Sequence, residues 1–269
     1  MLTERQQKAR EGKMTGSRVA TVVTGTDEDK YNLWLELTGD PSWKGPDYSN
    51  DFQVQLGNFT EQFHLDWIQR HTGLIEQRGT SLQHPKVEWA AYTLDGWATD
   101  HDLPVEAKHV GGYELPVIII ERYMPQIHWG MFCGDTDEAI FSVIAGTKEP
   151  RPVFIGRDQE YLDKLVDRAA AFMNCVHELR EPVPNPFLKA PKPIYSRIVD
   201  MTGNNAWATA ASRWKENLEA HKAFDFAAKE IKATVPEDAK ECFGHGIRVK
   251  RNKTGALTIK EDKDDAEQD

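Results

Sequence analysis

Cysteine is scarce in this sequence. Cys133, Cys175 and Cys242 stand far apart among 269 residues, and none forms a CxxC pair. That excludes a disulfide framework and a cysteine-based zinc site, and it fits a reducing compartment. Long apolar runs are missing as well. The most apolar stretch, LPVIIIERY, is interrupted by Glu121, so no membrane span is expected. The opening MLTERQQKAREGKM has no apolar signal-peptide core, and the expected location is the cytoplasm. Positive charge is in deficit: 33 Lys and Arg against 43 Asp and Glu give a net charge of −10. Taken alone, this speaks against non-specific nucleic-acid binding. The charge is unevenly placed, however. Arg5, Lys8, Arg10, Lys13 and Arg18 face only Glu4 and Glu11 near the start, and GIRVKRNKTG is purely basic before an acidic KEDKDDAEQD. An acidic protein can still present a basic groove.

The pattern along the chain predicts an α/β domain. A short helix comes first, then TGSRVATVVTG with a Thr or Ser as its cap. DEDKYNLWLELTGD follows, with Asp27 or Asp29 at its start and Gly39 at its end. A longer helix over VQLGNFTEQFHLDWIQRHTG should bury Phe59, Phe63, Trp67 and Ile68 and stop at Gly73. Strands are expected over 75–83, 88–95 and 103–109, a helix over 118–132, strands in AIFSVIAG and PVFIGRD, and an amphipathic helix from Gln159. Together these read as a central mixed sheet flanked by helices. EPVPNPFLKAPKPI holds five of the fourteen prolines and reads as a linker. The expected division is a domain over 1–180, a proline-rich linker over 181–195, a helix-and-hairpin extension over 196–260, and an acidic disordered tail over 261–269. Trp207 and Trp214 are expected to pack within the helix of the extension, and GHG at 244–246 to form a tight turn before its hairpin.

The chemistry concentrates in YTLDGWATDHDLPVEAKHVGG. Glu106 and Lys108 are two apart on a strand and share a face, while Ala107 points the other way. If the strand that ends at Asp95 lies beside it, Asp95 comes level with Glu106. Two carboxylates so close repel unless a proton or a cation lies between them. A hard divalent cation suits such oxygen ligands, and a lysine beside it can orient water or neutralise developing charge. The bland alternative is an ordinary strand pair with solvated charges. His64, His71, His128, His177 and His245 show no ligand spacing, and His109 is either a neighbour of the site or simply exposed.

These residues occur with others in a fixed order. REGKMTGSR (Arg10 to Arg18), LGNFTE (Leu56 to Glu61), TLDG (Thr93 to Gly96), VEAK (Val105 to Lys108) and ERYMPQIHWGM (Glu121 to Met131) follow one another. In that order the chain resembles the lambda-exonuclease-type, or YqaJ-like, viral recombinase family of the PD-(D/E)XK nuclease superfamily, over residues 5–180. The family's usual Pro before the first Asp is replaced by Leu94. The resemblance implies a restriction-endonuclease-like core. It implies that Asp95 and Glu106 bind metal with the Ala107 carbonyl, that Glu61 serves a second metal, and that Lys108 is the catalytic lysine, positioned by Gln126. Tyr123 lies one turn before Gln126 on the same helix face and reads equally as a core aromatic. Arg10, Ser17 and Thr93 would form a 5′-phosphate pocket, against the plainer reading of a solvated Arg and a helix cap.

The implied function is a Mg²⁺-dependent deoxyribonuclease, with Mn²⁺ able to substitute. It would act in phage-type DNA recombination, resecting linear duplex ends in the 5′–3′ direction to leave 3′ single strands. The same resemblance implies a ring-shaped homo-oligomer, a trimer, a single-strand annealing protein as partner, and the host cytoplasm if a phage encodes the chain. The alternatives are a PD-(D/E)XK endonuclease or structure-specific nuclease, and a catalytically inactive DNA-binding or assembly module.

Overall fold

The computed structural model describes residues 4–48, 50–74, 77–78, 81–112, 116–195 and 198–262. The chain forms two compact units, Met1–Arg197 and Ile198–Asp269.

The first unit opens with three helices, α1 (Glu4–Arg10), α2 (Gly16–Thr24) and α3 (Asp27–Thr38). Thr26 and Asp29 exchange hydrogen bonds in a capping box, and Gly39 ends α3 at φ 68°. The long α4 (Phe52–Thr72) is capped by Asp51 and stopped by Gly73 at φ 69°. Then come β1 (Gln77–Arg78), β2 (Ser81–Gln83), β3 (Ala91–Thr93), β4 (Gly96–Ala98) and β5 (Leu103–Val110). Helix α5 (Pro116–Gly134) crosses to β6 (Glu138–Ala145), β7 (Val153–Gly156) and α6 (Gln159–His177). The main sheet has the order β1-β4-β5-β6-β7, in which β5 and β6 are parallel and the other pairs antiparallel.

Alternation along β5 and β6 divides the core between two faces. Val105, Ala107 and Ile140 pack with Leu65 and Ile68 of α4. Phe141 and Ile155 join α2, α5 and α6 through Val19, Met124, Ile127, Trp129, Leu162 and Leu165. The result is a mixed sheet between helical layers, the fold class the sequence implies.

Two expectations about elements change. The strands expected over 75–83 and 88–95 are each broken, and residues 75–76 and 79–80 lie outside the described residues. β3 leaves the main sheet to pair with β2, while β4 pairs with β5, so the chain bends at Leu94–Asp95. Helix α4 also faces differently. It buries His64, Leu65 and Ile68, while Phe59 and Phe63 are exposed at 82% and 51%. The reason is its neighbour: the sheet face of Ala98, Val105, Ala107 and Ile140 packs against Leu65 and Ile68, and Ser142 shares a 2.9 Å hydrogen bond with His64.

The proline-rich segment is extended and is also fastened to the first unit. Leu188 is buried and donates its N–H to Val23 O (3.0 Å). Buried Lys30 donates to Asn185 O and Oδ1 (3.1 and 3.3 Å), and Ile194 bridges Gly156. A chain ended after Glu181 should therefore melt lower than one ended after Arg197. Losing one buried Leu and these hydrogen bonds should cost about 3 kcal/mol, or ~6–12 °C. Equal melting temperatures in thermal unfolding would show that the segment contributes nothing.

The second unit holds α7 (Asn205–Thr234), capped by Asn204, and an antiparallel sheet of β8 (Glu241–Gly244), β9 (Ile247–Arg251) and β10 (Leu257–Glu261). The hairpin turns over 252–256 as expected, with Asn252 Oδ1 accepting from Thr254 and Ala256 N–H. His245 and Gly246, at φ 51° and 72°, make the turn before it. The strand β8 was not legible. Its Glu241, with Asp262, pairs with Arg248 at 2.5 and 2.7 Å, so that letter of the basic run serves the unit's own fold. Trp207 and Trp214 are exposed rather than packed. Residues 263–269 of the expected acidic tail lie outside the described residues.

Candidate active site

The bend between β3 and β4 brings the site together. Gly96 pairs with Val105, and the antiparallel register carried one step further sets Asp95 opposite Glu106. Asp95 Oδ2 accepts the Ala107 N–H at 2.9 Å. In an extended strand a residue's N–H and C=O point to the same side, so the Ala107 carbonyl also projects toward Asp95. Glu106 and Lys108 lie on the other face of β5. The Lys108 ammonium is 2.5 Å from Glu106 Oε1 and 3.6 Å from Asp95 Oδ2. It also lies over the Tyr123 ring, 5.7 Å from the centroid.

The electrostatics follow from this crowding. Burial raises the Glu106 carboxyl above its ordinary value, opposed by Lys108 and reinforced by Asp95. Burial works against the Lys108 charge, yet Glu106 and then Asp95 raise its pKa, so it remains an ammonium. Tyr92, fully enclosed, donates its hydroxyl proton to Glu106 Oε2; burial, then the Glu106 charge, raise the phenol. Gly16 permits this placement, since a Cβ there would come 2.7 Å from the Tyr92 ring.

Glu61 on α4 stands at an exposed position, where desolvation and then the Asp95 charge raise its carboxyl. It is not drawn into the pair: among the described residues no three His, Cys, Asp or Glu groups already form a metal-binding cluster. The donors that do converge are two carboxylates and a backbone carbonyl, with a cation, the Lys108 ammonium, already between the carboxylates. Hard oxygen donors of this number suit Mg²⁺, which takes one or two protein carboxylates and completes its shell with water and phosphate oxygens.

A second cluster lies two residues up the chain from Asp95. Arg10 extends its guanidinium to Thr93 Oγ1, Thr15 Oγ1 and Ser17 Oγ, in long contacts of 3.4, 3.4 and 3.3 Å. Burial, then the charge of Arg18, lower the Arg10 pKa, conditions that an anion would relieve. Thr15 is the residue before α2, and its side chain makes no cap, so the first N–H groups of α2 are left without one. Arg18 holds the turn by donating to the carbonyls of Arg10 and Lys13 (2.6 and 2.5 Å) and pairing with Glu36 at 2.5 Å.

The structure thus brings Asp95, Glu106, Ala107 and Lys108 into one cluster and Arg10, Ser17 and Thr93 into another. Gln126 lies on the wall of a cavity with Arg10 and Ser17, and Tyr123 is the α5 side chain against Lys108. Sequence reasoning missed Thr15 and the role of Tyr92. His109 is neither solvated nor idle: it joins Thr60 Oγ1 of α4 at 2.9 Å and Gly146 O at 3.2 Å. His64 and His128 are buried, which lowers both to about 4, and they serve as structural hydrogen-bonding groups.

An Asp at a strand break, a Glu-x-Lys on the adjoining strand and a mixed sheet between helices together define the PD-(D/E)XK nuclease fold. Residues 6–137 match the family model described as YqaJ-like viral recombinase domain. Among solved structures it is similar to an alkaline exonuclease (LHK-Exo) from Laribacter hongkongensis. The TM-score is 0.54 and the identity 21%, over 66% of this chain and 94% of that one. The same values hold for LHK-Exo in complex with dAMP. A phage related exonuclease from Haemophilus somnus 129PT matches at 18% identity and a TM-score of 0.43, over 66% and 87% of the two chains. No curated protein matches the chain.

Proposed function

We propose that the chain is a metal-dependent exonuclease that resects linear duplex DNA from a 5′-phosphorylated end. One observation carries this reading. A single short stretch, Thr93–Leu94–Asp95, joins an anion pocket (Arg10, Thr15, Ser17, Thr93) to a carboxylate–lysine cluster (Asp95, Glu106, Lys108). A terminal phosphate in the pocket would set the next phosphodiester at the cluster. Binding energy at the non-reacting phosphate then positions the reacting one. The family match and a nuclease-type neighbour crystallised with dAMP support a site of nucleotide size.

Asp95, Glu106 and the Ala107 carbonyl would hold Mg²⁺, or Mn²⁺ in its place, and Glu61 a second ion. Metal bound there supplies Lewis-acid polarisation of the phosphodiester and a more acidic water. The chain's own groups do the rest. Arg10 and the start of α2 hold the terminal phosphate. Lys108 sets a positive charge where negative charge develops on the reacting phosphate. Tyr92 fixes the Glu106 carboxylate, and Tyr123 packs over Lys108. Water adds to phosphorus and the 3′ oxygen leaves with a proton. That polarity is required if a pocket reading 5′ phosphates is to act repeatedly, because only cleavage of the P–O3′ bond regenerates a 5′ phosphate. The product is a 3′ single strand, which a single-strand annealing protein would coat. A trimeric ring around the duplex in the host cytoplasm completes the reading.

End-labelled duplexes with and without a 5′ phosphate, incubated with Mg²⁺, test it. Mononucleotide release from phosphorylated ends is expected, with a circular plasmid left intact; nicking of the plasmid would favour an endonuclease. Arg10→Ala should erase the preference for phosphorylated ends, slowing their cleavage about ten- to a hundredfold, or ~1.4–2.8 kcal/mol. Slow cleavage of hydroxyl ends should hardly change. Equal losses on both substrates would make Arg10 a general contact.

A further inference from the structure

Arg10 and Ser17 face two ways. On one side Arg10 meets both Ser17 and Thr93, the latter two residues before Asp95. On the other they line an open cavity of ≈ 1170 Å³. A phosphate group would fill only a small part of it. Ser17, Thr21 and Thr24, at i, i+4 and i+7, run along one wall on a single face of α2. Asn32 of α3 and Trp43 and Lys44 of the following loop are also part of the lining. The seven-residue span of α2 covers ~10 Å at ~1.5 Å per residue. That matches about three nucleotides at the ~3.4 Å stacked step.

The charge in this groove suits a polyanion. Arg10, Arg18 and Lys44 line it with Asp29 and Glu36. Glu36 is paired with Arg18 at 2.5 Å, and Asp29, held by the Thr26 N–H and hydroxyl at 2.8 and 2.7 Å, keeps its charge, so Arg10 and Lys44 leave the lining positive on balance. Arg10 and Lys44 are both part of the lining, and Lys44 follows the half-buried Trp43 in the chain. Cations and an aromatic ring lining one groove are what a single strand of nucleic acid needs: phosphates meet charge and a base stacks. Hydroxyl and amide side chains on the wall read edges without demanding one sequence.

We propose that this groove receives nucleotides lying 5′ of the phosphate held by Arg10. The chain then accepts duplex ends carrying a 5′ single-stranded extension of about one to three nucleotides. The extension threads past Arg10, an internal phosphodiester takes the place of the terminal phosphate, and the cut falls at the same carboxylate–lysine cluster. Water adds to phosphorus and the 3′ oxygen leaves with a proton, as at a blunt end, so the first turnover releases a short oligonucleotide and leaves a 5′-phosphorylated duplex. The inference rests on the exonuclease reading above.

The test uses the full chain with Mg²⁺ and two duplexes: one blunt and 5′-phosphorylated, the other with a three-nucleotide 5′ extension bearing a 5′ dye in place of phosphate. The dye should leave first on a short oligonucleotide, not on a mononucleotide. Trp43→Ala should slow that release about ten- to a hundredfold and leave blunt ends unchanged. Lys44→Glu, at an exposed position where folding is not at stake, should do the same. Equal effects of Lys44→Glu on both duplexes, or dye release only as a mononucleotide, would overturn the inference. Failure to cut the blunt duplex as well would overturn the exonuclease reading itself.

Discussion

Asp95→Asn is expected to lower the cleavage rate at least about a thousandfold, ~4 kcal/mol of transition-state stabilisation, while leaving the melting temperature nearly unmoved. The two effects separate because Asp95 does two things. Its charge, with that of Glu106, makes the oxygen-rich place a divalent cation would take. Its Oδ2 also accepts the Ala107 N–H at 2.9 Å and so pins the bend to β5. Asparagine keeps an acceptor for that N–H and loses the charge. Lys108 keeps its shorter partner, Glu106 at 2.5 Å, and loses only the longer contact at 3.6 Å. Asp95→Ala removes both functions and should also cost about 1–3 kcal/mol, because the Ala107 N–H is left without its acceptor. Initial rates on phosphorylated duplex ends and thermal unfolding of the same preparations decide it. Near-normal turnover in Asp95→Asn would remove Asp95 from the site.

Why Asp95 could be read from the sequence and its surroundings could not comes down to distance along the chain. Glu106 and Lys108 share a face by strand geometry alone, and a strand ending at Asp95 must lie level with them if the two pair. The break between β3 and β4 was not legible, because the pairing of β3 with β2 is a choice made by the whole fold. Nothing in the sequence around Tyr92 marks it as a partner of Glu106. What directs it to Glu106 is the space left by Gly16 and Gly130, two glycines on other elements. Thr15 was hidden for a related reason: it occupies a cap position without capping, and only the fold shows that its hydroxyl meets Arg10. In α4 two apolar stripes compete. Counting large aromatics favours Phe59 and Phe63, yet Leu65 and Ile68 are the side chains packed with Val105, Ala107 and Ile140 of the sheet. Composition likewise shows that 181–195 is extended, but not that Leu188 is buried or that its N–H finds Val23.

Lys108→Ala should produce the other large effect, and its signature is a change in how metal affects stability. Its ammonium is the cation between two carboxylates, one of which, Glu106, is 5% exposed. Removing one partner from a buried ion pair typically costs about 3–5 kcal/mol, since the remaining charge is left uncompensated. The variant should therefore melt well below the parent chain in the presence of a chelator. Added Mg²⁺ should recover more stability in the variant than in the parent, because a bound cation replaces the missing charge. At about a hundred times its dissociation constant a ligand contributes ~2.7 kcal/mol, enough to return much of the loss. Activity should stay at least about a hundredfold down even then, because the positive charge that would face the reacting phosphate is gone. Lys108→Arg should not restore it: a planar fork cannot occupy the narrow place that a compact ammonium fills between Glu106, Asp95 and the Tyr123 ring. A fully active arginine variant would show that charge alone is required. Equal Mg²⁺-induced shifts in Lys108→Ala and the parent would show that metal and lysine do not share the carboxylates.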